Sequence, residues 1–331
     1  MSENAYIFGC EGAVLSDWER GFFAQSRPWG FILFARNIEN PDQLRKLTGD
    51  LRDAVGWHAP ILIDQEGGRV QRMRAPHWRE HLPARDQMAM AQNPVHAQYL
   101  RNLLIARELH DVGIDVNCAP LADLVESQTH PVLLNRLYGR DIDVVVAACK
   151  AAADGLMAGG VLPILKHIPG YGRAAVDSHK DLPRVDVPAA SLYARDFAPF
   201  KQLNHFAMGM SAHIVFSDID PDAPATTSPT MMNIIREDIG FSGLIMTDDI
   251  SMEALSGSIT ERSIASWDAG CDLVLHCNGE RDDMLALADV ARPLTQAGNA
   301  RADAALSQRK SPIEIDIDAT LAEFEAQFAG N

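Results

Sequence analysis

The chain has 331 residues, 47% of them hydrophobic, and a formal net charge of -16, which suits a large core and argues against nucleic acid or an anionic membrane as partner. No apolar run reaches membrane-spanning length, and Met1 to Phe8 has no basic n-region, so a cytoplasmic protein is expected. The five cysteines, Cys10, Cys118, Cys149, Cys271 and Cys277, form no Cys-x-x-Cys pair, which suits a reducing compartment, and no ligand spacing calls for a metal or cofactor.

Eight short apolar runs read as strands buried on both faces: Tyr6 to Gly9, Gly30 to Phe34, Pro60 to Asp64, Gly113 to Asn117, Gly160 to Leu165, Phe206 to Ser211, Gly243 to Thr247 and Cys271 to His276. Helix-like segments lie between them. Asn40-Pro41 is an N-cap with proline at the first helical position, followed by Leu44, Leu47, Leu51 and Val55 at helical spacing. Ser228-Pro229 opens another helix the same way, and Gly240 is placed to close it. The expected architecture is α/β, a single-domain (β/α)8 barrel over residues 1–331 with a helical tail from about 296. A doubly wound open sheet is the runner-up, but no Gly-x-Gly-x-x-Gly follows the first strand.

In a barrel the strand C-termini converge on one face. The residues expected there are Arg36 and Asn37, Asp64, Pro120 with Asp123, Lys166 and His167, His213, Asp248, and Asn278. The stretch Lys166 to Gly172, followed by Asp177-Ser178-His179, puts a cation, two imidazoles and a carboxylate on one loop. With Asp248 at another strand end, this is the minimum kit for covalent hydrolysis by a carboxylate nucleophile and a histidine proton carrier. Plainer readings compete. Asp248 would cap a helix, unless Asp249 or Ser251 supplies the cap before Met252 and Leu255. Lys166 would be a snorkelling surface lysine, and His213 is better read as a satisfied core histidine.

Several blocks carry a resemblance: Gly30 to Asn37; Ile63-Asp64-Gln65-Glu66-Gly67-Gly68-Arg69-Val70; Gly113 to Asp123; Asn135 to Gly139; Lys166 to Gly172 with Asp177-Ser178-His179; and Thr247 to Met252. On these the chain resembles family 3 of the glycoside hydrolases, and within it the bacterial cytosolic β-N-acetylglucosaminidases that recycle peptidoglycan fragments. The resemblance implies Asp248 as nucleophile, His179 as general acid and then base, and Asp177 as the carboxylate that orients its imidazole. It implies that Asp64, Arg72, Arg136, Lys166 and His167 bind the terminal sugar. Carboxylates accept from paired hydroxyls, and cations donate to sugar and acetamido oxygens.

Departures from the family pattern are Tyr171 where many relatives have His, Ile168 where many have Phe, Arg173 and Ala174 where Asp-Thr is common, and Ile250 where Leu is usual. None falls on the proposed catalytic or sugar-binding set. The implied substrate is a small carbohydrate or muropeptide, GlcNAc-anhydroMurNAc with or without its peptide, acted on by a monomer. Arg69, Arg72, Arg136, Arg140 and Lys166 would make the rim locally positive towards such an anion. Other readings are a β-glucosidase, xylosidase or phosphorylase of the same family, a lyase forming a Schiff base on Lys166, and a sugar-binding barrel without turnover.

Overall fold

A computed structural model describes residues 3–176 and 181–329. Its sheet has nine short strands: β1 Asn4–Gly9, β2 Pro28–Leu33, β3 Ile61–Ile63, β4 Val116–Asn117, β5 Leu162–Pro163, β6 Leu165–Ile168, β7 Met208–Ser211, β8 Leu244–Asp249 and β9 Leu273–His276. The hydrogen-bonded order is β5-β4-β3-β2-β1-β9-β8-β7-β6, and every pairing is parallel, with Tyr6 opposite Val274 and Ile7 opposite Gly30. The two end strands are neighbours in the chain, separated by Ile164 alone. Its N–H donates to the carbonyls of Asn117 and Ala119, both at 3.0 Å. The sheet therefore curls into a nearly closed barrel. The eight expected runs all appear, and the fifth supplies both end strands.

Two strands run further than their apolar pattern predicts. β6 includes Lys166 and His167, and β8 includes Asp248 and Asp249, so these polar residues extend the strands towards the rim.

The expected helix from Asn40 spans Pro41–Val55. The Asn40 side chain accepts from the Gln43 N–H, and Leu44, Leu47, Leu51 and Val55 are buried. From Ser228 the chain runs helically through Pro229–Asn233 and Ile234–Asp238, and Gly240 sits at φ +77° beyond it. No helix follows Ser251. That stretch is a turn, and the next helix, Ile259–Ala269, starts from its own capping box of Ser258 and Glu261. Helices Pro94–Asp111 and Ile142–Ala158 pack along each other, because Gly155 lacks a Cβ that would lie 2.3 Å from the Tyr99 carbonyl. The C-terminal segment is helical over Gln296–Leu306 and Ile317–Ala326. Among the described residues no helix is long and apolar enough to cross a membrane.

Candidate active site

At the C-terminal ends of the strands lies a cleft of about 970 Å³, its mouth included. Its wall includes Asp64, Arg72, Arg136, Lys166, His167 and Asp248, so six of the eight expected site residues meet in one cavity. Asp177 and His179 lie outside the described residues.

Lys166, Arg72 and Arg136 face the cleft and are held by two carboxylates, Asp64 on its wall and Glu66 behind it. Lys166, with its side chain only 3% exposed, places Nζ 2.9 Å from Asp64 Oδ1 and 2.8 Å from Glu66 Oε1. Arg72 Nη2 donates to the other oxygen of Asp64 at 3.1 Å. Arg136 grips Glu66 with both faces of the fork, Nε to Oε2 at 2.9 Å and Nη2 to Oε1 at 2.8 Å. Burial alone would raise the Asp64 carboxyl, but Lys166 and Arg72 outweigh it and hold it well below the usual carboxylate range. Glu66 is brought down to about 2 in the same way, by Arg136 and Lys166 against burial. For Lys166, burial pushes down while Asp64 and Glu66 push up, and the carboxylates win. Its amine stays protonated at neutral pH, so the snorkelling reading is wrong and a Schiff-base lysine has no support.

Asp248 is half-buried. Burial raises its carboxyl, but the imidazoles of His167 and His213, the N–H of Asp249 at 2.8 Å and the Lys166 ammonium more than offset that, leaving it below its ordinary value. It is therefore an anion without a salt-bridge partner among the described residues, which is what a nucleophile needs. It does not cap a helix. Asp249 takes the local structural work: it accepts from Ser251 N–H at 3.1 Å, from Ser251 Oγ at 2.7 Å and from the Cys277 N–H at 3.2 Å. The expected cap before Met252 and Leu255 is thus a side-chain turn that ties the β8 end to the β9 end.

His213 is the satisfied core histidine, with Nδ1 2.8 Å from Thr226 Oγ1 and Nε2 3.0 Å from the Asp249 carbonyl. Arg36 and Asn37 do not line the cleft; they bind the carbonyl of Cys10, and Arg36 also that of Cys277, stitching rim loops together. Arg140 lies elsewhere, in a surface hollow with Asp141, Asp143 and Arg195. Arg69, Arg72, Arg136 and Lys166 do line the cleft, beside the carboxylates of Asp64, Asp248 and Asp249.

The site also holds groups to which no role had been given. Asp123, fully buried, accepts from His167 Nδ1 at 2.8 Å and from the Tyr171 N–H at 2.6 Å, fixing the imidazole that faces the cleft. Its position after a strand was visible, its partners were not. Glu66 was visible only as part of a motif block. His130 reaches the cleft from a connection with no sequence signal, and Met252 from the end of the Thr247 to Met252 block. Tyr171 lines it too, its ring 5.5 Å from that of His167. Arg173 binds both oxygens of Asp196, at 2.9 and 2.8 Å, away from the cleft lining. Among the described residues no group of three or more His, Cys, Asp or Glu is arranged to hold a metal ion.

Comparison with known proteins agrees with this geometry. The family model described as "Glycosyl hydrolase family 3 N terminal domain" matches residues 19–308. A β-hexosaminidase of Methylococcus capsulatus is 35% identical over 324 residues, covering 96% of this chain and 95% of its own. One from Alkalilimnicola ehrlichii is 36% identical over 282 residues, covering 82% and 80%. Among solved structures, NagZ of Neisseria gonorrhoeae in complex with N-trifluoroacetyl-D-glucosamine superimposes with a TM-score of 0.85 at 30% identity, covering 99% of this chain and 97% of that one. A family match over most of the chain, with relatives of this identity along nearly their whole length, establishes that the chain belongs to glycosyl hydrolase family 3.

Proposed function

We propose that this glycoside hydrolase of the β-hexosaminidase type is a retaining exo-β-N-acetylglucosaminidase that removes terminal, non-reducing β-linked N-acetylglucosamine. Asp248 attacks the anomeric carbon and forms a covalent glycosyl-enzyme. His179 protonates the leaving oxygen and then takes a proton from the acceptor, with Asp177 orienting its ring. Asp64, Arg72, Arg136, Lys166 and His167 hold the sugar.

The observation that carries this reading is the division of labour among the carboxylates of the cleft. Retaining glycosidases ordinarily use two carboxyl groups, one as nucleophile and one as proton donor. Here Asp64 is kept ionised by Lys166 and Arg72, and the oxygens of Asp249 accept from Ser251 and Cys277. Asp248 is left as the nucleophile and neither neighbour is suited to donate a proton, which supports an imidazole as the acid, the role the family resemblance gives to His179. A histidine works near neutral pH without strong tuning, and its neutral form does not repel an anionic acceptor, so both water and phosphate fit as acceptors.

The relatives' name and the sugar derivative in the NagZ complex support an acetamido sugar as substrate. The basic residues of the cleft suit an anionic muropeptide such as GlcNAc-anhydroMurNAc-peptide. The proposed setting is the cytoplasm, where the protein acts as a monomer on cell-wall fragments.

The test is release of 4-nitrophenol from the β-N-acetylglucosaminide and the β-glucoside by the wild type and by Asp248→Ala. Preference for the acetamido sugar, with turnover reduced at least about 10³-fold in the variant, is the expected result. Full activity in the variant, or preference for the glucoside, would overturn the reading.

A further inference from the structure

Glu66 stands behind the cleft and not on its wall. The lining includes Lys166 and Arg136 but not Glu66, whose side chain is 5% exposed. Its Oε1 lies 2.8 Å from both Lys166 Nζ and Arg136 Nη2, and its Oε2 takes the Arg136 Nε at 2.9 Å. One carboxylate thus fixes two cations that face the sugar site. Asp64 also binds Lys166, but among the described residues Arg136 forms a salt bridge with Glu66 alone.

Glu66 is itself fixed from behind. Arg101, 1% exposed, donates Nη2 to the Glu66 carbonyl and to the Leu82 carbonyl, the latter at 2.7 Å, while its Nη1 binds Gln87 Oε1 at 2.6 Å. Gly67, at φ +98°, leaves room for it, since a Cβ there would lie 1.9 Å from Arg101 Nη2. The chain of support runs Arg101 to Glu66, and from Glu66 to Arg136 and Lys166.

We propose that Glu66 is a positioning residue, holding Arg136 and Lys166 so that their remaining N–H donors stand ready for the sugar before it arrives. This rests on the reading that Arg136 and Lys166 bind the sugar. Preorganised donors bind without the entropy cost of ordering a free Arg or Lys side chain on arrival of the ligand. Removing Glu66 leaves Arg136 in place in the sequence but releases it in space, so the two losses overlap.

The test is a double-mutant cycle in the dissociation constant of N-acetylglucosamine, measured by calorimetry on the full chain with Glu66→Ala, Arg136→Ala and the pair, each first shown to unfold cooperatively. Glu66→Ala and Arg136→Ala are each expected to weaken binding at least about tenfold, and the double variant to bind about as weakly as the weaker single. Glu66→Gln, which keeps the shape and loses the charge, is expected to weaken binding with KM rising more than kcat falls; it carries the test alone if the alanine variant does not fold. Losses that multiply in the double variant, or wild-type binding by Glu66→Ala or Glu66→Gln, would refute the inference. Wild-type binding by Arg136→Ala would instead bring down the sugar-site reading beneath it.

Discussion

His81 shows how a single buried side chain sets a pH dependence away from the chemistry. It is 6% exposed, and its Nε2 has no hydrogen-bond partner. Burial first, then the nearby Arg101 and Arg79, push its imidazole down to about 3. The sign follows from the depressed value. As pH falls through the ordinary histidine value the unfolded chain takes up a proton that the folded chain refuses, so stability is present above that point and is lost on acidification. By pH 5 the loss from this residue is about 2 kcal/mol. Glu66, brought to about 2, begins to count only below the ordinary glutamate value and does not confuse the interval. His81→Gln is expected to shrink the stability difference between pH 7 and pH 5 by about 2 kcal/mol, as read from urea denaturation at both values. An unchanged difference would mean that this imidazole is protonated in the fold. Residue identity alone gave no hint of this: His167, His213 and His276 are buried too, and only the fold shows that His81 Nε2 is enclosed without a hydrogen-bond partner.

At the scale of elements, local chemistry wrote most of what is seen, and glycine shows where it did not. The hairpin of Gln65–Gly67 with Val70–Gln71 carries Glu66 and leads into Arg72, whose N–H binds Gln65 Oε1 at 2.9 Å. Gly67 belongs to a block that resembles relatives, but its reason is tertiary: Arg101 occupies the space of its Cβ. Gly67→Ala is expected to cost at least about 2 kcal/mol, from positive φ and overpacking together. Gly49→Ala in helix Pro41–Val55, where a Cβ meets nothing within 4 Å, is expected to be neutral or stabilising by up to about 1 kcal/mol. Thermal or urea unfolding of the two variants checks the contrast, and equal effects would refute the packing argument. Likewise, Asn40 and Ser228 start helices as their sequence predicts, whereas Asp249 does not. Its side chain finds donors in Ser251 and, across the barrel rim, in Cys277. The latter partner is not local and cannot be read from neighbours.

At the scale of the molecule, the C-terminal segment is clasped to the barrel end opposite the cleft. Asp272, whose side chain is 3% exposed, precedes β9 and binds Arg236 Nη2 at 2.8 Å and Arg301 Nε at 3.0 Å, while accepting from the Ile245 N–H at 2.9 Å. Asp115, before β4, holds Arg309 Nη2 at 2.9 Å and Arg52 Nη2 at 3.3 Å. Arg301 and Arg309 both come from the C-terminal region, which the sequence suggested was helical without saying where it docks. Breaking a buried pair leaves an uncompensated charge, so Asp272→Asn is expected to destabilise the chain by about 3 kcal/mol. Turnover per folded molecule is expected to stay as in the wild type. Measuring denaturation midpoint and kcat on one preparation separates the two, and a fall in kcat at full folding would contradict the separation of support from site.

What the sequence determined by itself was everything carried by short-range pattern: eight apolar runs, the caps at Asn40 and Ser228, and the polar residues at strand ends, among them Asp64, Lys166, His167 and Asp248. Apolar periodicity and capping act within a few residues, so they survive in one dimension. Only the tertiary structure decided how these parts complete each other. It brought the two halves of the fifth run to opposite ends of one sheet, put Glu66 behind Lys166 and Arg136, gave Asp123 to His167, and moved Arg140 away from the site. Those partners are separated by tens of residues in sequence, and a charge shows its partner only when the chain has closed the distance between them.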